Sequence, residues 1–169
     1  MTPKIKYDII SVADVPTDDA ISSPRLPVVL VVDDERVIAD TLSIILGKSG
    51  FTTMTAYDGT EALKLASAVT PDLLISDVVM PGMSGIDLAI AITKLLPACK
   101  VLLFSGQAAT IDLLAKARID GHEFTTLTKP VHPTDMLRRI SECLGTNKSQ
   151  FNPALSPDKS ELTAFALPN

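Results

Sequence analysis

Five short apolar runs recur along the chain, at residues 28–32, 51–56, 73–76, 100–104 and 124–128, each the length of a strand. Between them the apolar residues switch to a helical period. Ile38, Leu42 and Ile45 stand at i, i+4 and i+7, and Ala62, Leu65 or Ala66, and Val69 repeat that spacing before Pro71 stops it. Ile86, Ile90 and Thr93 mark a third helix, Ile111, Leu114 and Ala115 a fourth, and Met136 or Leu137, Ile140 and Leu144 a fifth. Gly47, Gly50, Gly121 and Gly145 fall at or just past the expected helix ends, where a left-handed backbone is needed. The pattern is a strand followed by a helix, repeated.

The central runs carry apolar residues at successive positions, the mark of strands covered on both faces. They predict an α/β fold, a doubly wound five-stranded parallel sheet with helices on both faces. The second run, Phe51-Thr52-Thr53-Met54-Thr55, alternates apolar and polar residues, which places it at a sheet edge. Residues 1–26 hold Pro3, Pro16 and Pro24 among Asp and Ser, and 146–169 hold Pro153, Pro157 and Pro168. Such segments are expected to be flexible tails around one domain at 27–145, with no output domain. Within them only the alternating Ile5, Tyr7 and Ile9 and a short stretch at 160–166 have any regular pattern.

Composition narrows the function classes. The 169 residues are 46% hydrophobic, with a mean hydropathy of +0.30, so the chain is globular, and its longest apolar run is too short for membrane insertion. A net charge of −5 and scattered Lys and Arg leave no basic field for direct nucleic-acid binding. Lys4 and Lys6 are followed by no apolar stretch or cleavage site, so a cytoplasmic location is expected. Cys99 and Cys143 form no C-x-x-C and read as reduced thiols; His122 and His132 lack ligand spacing and read as loop or surface residues.

Charged residues mark the strand ends. Asp33 and Asp34 close the first run, Asp77 closes the third, and Lys129 follows the fifth with Pro130 behind it. In a parallel sheet these ends lie on one edge, where open α/β folds place their ligands. Three carboxylates and an ammonium suit the binding of a divalent cation and the acceptance of a phosphoryl group on a carboxylate. Each piece alone has a blander reading: Asp-Asp before Glu35 is a common helix N-cap, Met80-Pro81-Gly82 is a turn, and Met54, Met80 and Met83 are packing residues. Their joint occurrence at successive strand ends is what points to a site.

Taken together, Val31-Val32-Asp33-Asp34-Glu35, Asp77 through Gly85, Phe104-Ser105-Gly106 and Leu127-Thr128-Lys129-Pro130 resemble the receiver domain of two-component response regulators, over roughly residues 26 to 145. The resemblance implies a flavodoxin-like strand order 2-1-3-4-5. It implies Asp77 as phosphoacceptor, Asp33, Asp34, Asp77 and the carbonyl of Val79 as the Mg²⁺ site, and Lys129 and Ser105 as catalytic partners of the phosphoryl group. The Lys129-Pro130 peptide is expected in cis. Val79 and Gln107 would flank the path of the hydrolytic water. The donor would be a histidine kinase or histidine phosphotransfer protein, the output an unknown downstream protein or a homodimer, and the chain a signalling switch rather than an ordinary enzyme. One position departs from the family: three residues before the lysine, where Tyr or Phe is usual, stands Thr126, and Phe124 comes two residues too early.

Two other classes compete. A Mg²⁺-dependent hydrolase of the haloacid dehalogenase type also uses carboxylates at strand ends, but places Asp-x-Asp at its first strand, which Asp33-Asp34-Glu35 does not match. A phosphate-independent docking module would need none of the acidic set, and only Thr126 favours it.

Overall fold

In a computed structural model, which describes residues 25–106 and 109–145, β1 (Val28–Val32) has all five of its side chains buried. A strand so covered belongs at the centre of a sheet with helices on both sides. The elements follow as α1 (Arg36–Lys48), β2 (Thr52–Ala56), α2 (Gly59–Ala68), β3 (Leu73–Asp77), α3 (Gly85–Leu95), β4 (Lys100–Ser105), α4 (Ala109–Ile119), β5 (Thr125–Thr128) and α5 (Pro133–Leu144). All pairings are parallel and the order is β2-β1-β3-β4-β5. The alternating β2 takes the edge, as its pattern predicts. The expected strands match to within a residue at either end, with Phe51 and Phe124 lying just outside theirs. Ile5, Tyr7, Ile9, Gln107 and the stretch at 160–166 lie outside the described residues.

The sheet divides the core in two. On one face Leu30, Val32, Leu74, Val101 and Leu103 pack with Ala62 and Ala66 of α2, Leu88, Ala89 and Ile92 of α3, and Ala117 of α4. On the other, Val29, Val31, Ile75, Leu102 and Phe104 meet Leu46 of α1 and Met136 and Ile140 of α5. Each fully buried Leu or Ile contributes roughly 1.5–3 kcal/mol. Met80 is buried, and Met54 and Met83 pack against the first cluster, as packing residues should. Both cysteines are free thiols, Cys99 buried and Cys143 half-buried, and burial pushes the Cys99 thiol up to about 11. His132 caps α5 by accepting from the Thr134 amide, and His122 stacks on Phe124.

Helix faces and turns differ in detail from the expected pattern. In α1 the expected Leu42 and Ile45 do pack against the core, half-buried, while Ala39, Ser43 and Leu46, one position round, lie deepest, and Ser43 bonds Thr55 across to β2 at 2.7 Å. α4 buries Thr110 and Ala117 and leaves Ile111 and Ala115 exposed, so only Leu114 of its expected face points inward. Val69, the C-cap of α2, is likewise turned outward. Gly47 lies within α1; the positive φ of that turn is taken by Gly50, as it is by Gly121 and Gly145 after α4 and α5.

Candidate functional site

Asp33 follows β1 directly, Asp77 and Ser105 are the last residues of β3 and β4, and Lys129 follows β5. All four therefore stand at the carboxyl edge of adjacent strands. The ladder fixes their depth: Val78 donates to the Phe104 carbonyl at 3.1 Å, Asp33 to that of Ala56 at 3.3 Å, and Lys129 to that of Ser105 at 2.8 Å. The Lys129-Pro130 peptide is cis, as expected. The lysine stem runs beside Gly106, whose Cα hydrogen faces it.

The Lys129 ammonium bridges two carboxylates, Asp77 Oδ1 at 3.0 Å and Asp33 Oδ2 at 3.3 Å. The other oxygen of each carboxylate accepts a backbone amide two residues on, from Glu35 at 2.9 Å and from Val79 at 3.2 Å. Both carboxylates are thus oriented by their own loops. Asp33 has a side chain 3% exposed, and burial, reinforced by Asp77, raises its pKa above 3.8 against the opposing pull of Lys129 and the Glu35 amide. Burial alone would lower the Lys129 pKa, but the hydrogen bond to Asp77 and the charges of Asp33 and Asp77 win and raise it.

The raised Asp33 pKa has a measurable sign. The folded state holds that proton more tightly than the unfolded chain, so the contribution of Asp33 is best below pH about 3.8 and is lost as pH rises through the raised value. Asp33→Asn cannot titrate, and Lys129 keeps Asp77. Urea midpoints should show this variant gaining on the parent as pH rises from 3 to 7. A stability gap that stays constant with pH would mean that Asp33 is not the strained carboxylate.

Asp34 is exposed at the rim, and Val79, 44% exposed, stands at the mouth. The Ser105 hydroxyl makes no hydrogen bond among the described residues. Sequence reasoning missed one structural member: Gly85, first residue of α3, lies so close beneath the Asp77 carbonyl that a Cβ there would collide with it. Its amide donates to Val78 at 3.0 Å. The signal was present in Ser84, the N-cap that fixes where α3 begins.

The donor set fits Mg²⁺. Every candidate ligand is an oxygen, and Mg²⁺ takes one or two carboxylates and keeps several waters. Asp33 and Asp77 share the Lys129 ammonium, and among the described residues no three His, Cys, Asp or Glu side chains, this acidic set included, are gathered into a ready-made metal cluster. A sparse, hydrated coordination is what such a site would offer.

The family model for the response regulator receiver domain matches residues 29–141. Among curated proteins, the chain is 34% identical over 116 residues to a probable transcriptional regulatory protein, TcrX, of Mycobacterium tuberculosis, covering 69% of this chain and 49% of that protein. It is 29% identical over 122 residues to the DNA-binding response regulator MtrA of Mycolicibacterium paratuberculosis, covering 72% and 53%. The chain thus spans about half the length of these relatives. Among solved structures, the receiver domain of an HD domain-containing protein from Pseudomonas fluorescens superimposes with a TM-score of 0.66 at 31% identity, over 72% of this chain and 96% of that one. The chemotaxis protein CheY4 of Vibrio cholerae gives 0.64 at 29%, over 71% and 100%. With the sheet order, the strand-end carboxylates and the family match in agreement, the chain belongs to the response regulator receiver domain family.

Proposed function

We propose that this chain is a phosphorylation-dependent signalling switch that takes a phosphoryl group onto Asp77 from a histidine kinase or histidine phosphotransfer protein and acts through protein–protein contacts. The observation that carries the reading is the Lys129 ammonium held between Asp33 and Asp77, at 3.3 and 3.0 Å. An Asp77 carboxylate oxygen forms the new P–O bond while the phosphorus bond to the donor's leaving atom breaks. The chain's share is positioning and charge, since a loose phosphoryl transition state asks for little covalent help. Asp33, Asp34, Asp77 and the Val79 carbonyl would hold Mg²⁺, which supplies charge neutralisation between the carboxylates and the phosphoryl oxygens. Lys129 then passes from the Asp77 carboxylate to a phosphoryl oxygen, and the Ser105 hydroxyl donates to another.

The unit that does this is residues 27–145, with 1–26 and 146–169 as tails, and the work belongs in the cytoplasm, where the phosphodonors are. No helix among the described residues is long and apolar enough to cross a membrane. Partner choice lies outside the site: a kinase or phosphotransfer protein delivers the group, and a downstream protein or a second copy reads it. The test is chemical. With acetyl phosphate and Mg²⁺ the protein should take up one phosphoryl group as an acyl phosphate, released by hydroxylamine and alkali and absent when EDTA is present. A label stable to hydroxylamine would overturn the reading.

Lifetime is set at the mouth. The Val79 side chain, 44% exposed beside Asp77, cannot hydrogen-bond a water and shields the phosphoryl group. Val79→Asn should shorten the phosphorylated half-life about tenfold, the worth of one well-placed hydrogen bond in the transition state. Mg²⁺ dependence should persist, because the backbone carbonyl remains. Equal or slower loss of label would place control of the lifetime elsewhere.

A further inference from the structure

α1 starts at Arg36, directly behind the Asp33-Asp34-Glu35 turn, and it starts without a lock of its own. Its N-cap is Glu35, whose side chain makes no capping hydrogen bond, and its first turn holds no acidic residue. By contrast α2, α3 and α5 are each capped by a side chain, from Asp58, Ser84 and His132. An uncapped first turn leaves its amides to water and frays readily. Here the turn next to it carries two of the three strand-end carboxylates.

The support comes from the neighbouring strand. Tyr57, the residue after β2, donates its hydroxyl to Asp40 Oδ1 at 2.8 Å, and the Arg36 guanidinium carbon lies 4.0 Å from the centre of its ring. Arg36 and Asp40 are one helical turn apart, so a single ring spans the first turn of α1. The ring is held from behind. The Tyr57 amide donates to Glu61 Oε2 at 2.9 Å and the Glu61 amide to Asp58 Oδ1 at 2.8 Å, within the cap of α2. One residue earlier, the Ala56 carbonyl accepts the Asp33 amide at 3.3 Å. The hydrogen bond to Asp40 raises the Tyr57 pKa above its ordinary value, so the hydroxyl stays a donor. Residues 56 and 57 thus grip the acidic turn on both sides, Asp33 before it and Arg36 with Asp40 after it.

Resting on the reading of Asp33 and Asp34 as Mg²⁺ carboxylates, we propose that Tyr57 is a positioning residue for the metal site, clamping the first turn of α1 so that Asp34 stands in one place when the cation arrives. Asp33 needs no such help, because Lys129 and the Glu35 amide orient it. Asp34 is exposed, and an exposed carboxylate on a fraying turn would have to be ordered by the cation itself. That ordering weakens binding. A ring that only packed on α1 would add stability and leave the metal affinity where it was.

A cation titration separates the two. Mn²⁺, which takes the same oxygen ligands, is followed by the loss of its free-ion EPR signal and then displaced with Mg²⁺. Tyr57→Ala should weaken binding of both ions about tenfold, and Tyr57→Phe, which keeps the ring under Arg36, about threefold. Asp40→Asn keeps an acceptor for the phenol and should bind more tightly than Asp40→Ala, whereas on a Tyr57→Phe background the two should bind alike. Phosphorylation of Tyr57→Ala by acetyl phosphate should be slow at low Mg²⁺ and return to the parent rate at saturating Mg²⁺, since the clamp acts on binding of the cation and not on the transfer. Parent-like affinity for both ions in Tyr57→Ala, or a loss of rate that saturating Mg²⁺ does not restore, would overturn the proposal. Asp34→Ala is the control: if it binds Mn²⁺ as tightly as the parent, what fails is the assignment of the metal carboxylates on which the clamp rests.

Discussion

Asp77→Ala is expected to abolish uptake of the phosphoryl group completely while the domain stays folded. The parent, incubated with acetyl phosphate and Mg²⁺, gains the mass of one group; the variant gains none. Asp77 is the strand-end carboxylate with one oxygen on Lys129 at 3.0 Å and the other on the Val79 amide at 3.2 Å. Neither Asp33, whose side chain is 3% exposed, nor exposed Asp34 has that combination of orientation and access, so no neighbour can substitute. Folding survives because alanine leaves Lys129 paired with Asp33. Asp34→Ala is the companion: it removes a rim carboxylate, leaves Asp77 untouched, and should lower the rate at least a hundredfold at millimolar Mg²⁺ if the metal is held there, by analogy with the loss of a well-placed electrostatic group. A mass gain of one group in Asp77→Ala would show that the acceptor is another residue.

The sheet and its charged ends were legible because they are properties of short segments. β1 is buried at every position, as a run of five apolar residues at the centre of a covered sheet should be. Asp33, Asp77 and Lys129 end such runs, and a parallel sheet brings the ends together whatever the connections do. Helix faces were harder to read. In α1 the apolar stripe is wide: Leu42 and Ile45 pack half-buried against the core, but the deepest line, Ala39, Ser43 and Leu46, lies one position round, and small residues decide which line sits closest. α4 carries apolar residues around much of its circumference, with Ile111 at 68% and Ile119 at 85% exposure, so periodicity could not find the side that buries Thr110. The burial of Thr110, and the contact of Gly85 with Asp77, are facts of distance between segments. No local pattern contains them.

Two glycines after Asp77, Gly82 in the loop and Gly85 at the start of α3, should therefore behave in opposite ways when replaced by alanine. Gly82 has φ of +77° with nothing near its missing Cβ, so its cost is backbone strain alone, about 1 kcal/mol, and the site below should be spared. Gly85 begins α3 fully packed beneath the end of β3, and its Cβ would strike the Asp77 carbonyl and crowd the Ser76 hydroxyl, which itself donates to that carbonyl at 2.9 Å. Backbone cannot yield there as a flexible side chain would. The collision must either lift α3 from the sheet or tilt Asp77 away from Lys129. Gly85→Ala should lose about 2–4 kcal/mol in urea unfolding, the range for overpacking a buried contact, and its remaining folded fraction should phosphorylate at least tenfold more slowly than Gly82→Ala. Equal stability of the two variants would mean that the α3 start can shift freely, and that the position of Asp77 is set by Lys129 and the Val79 amide alone.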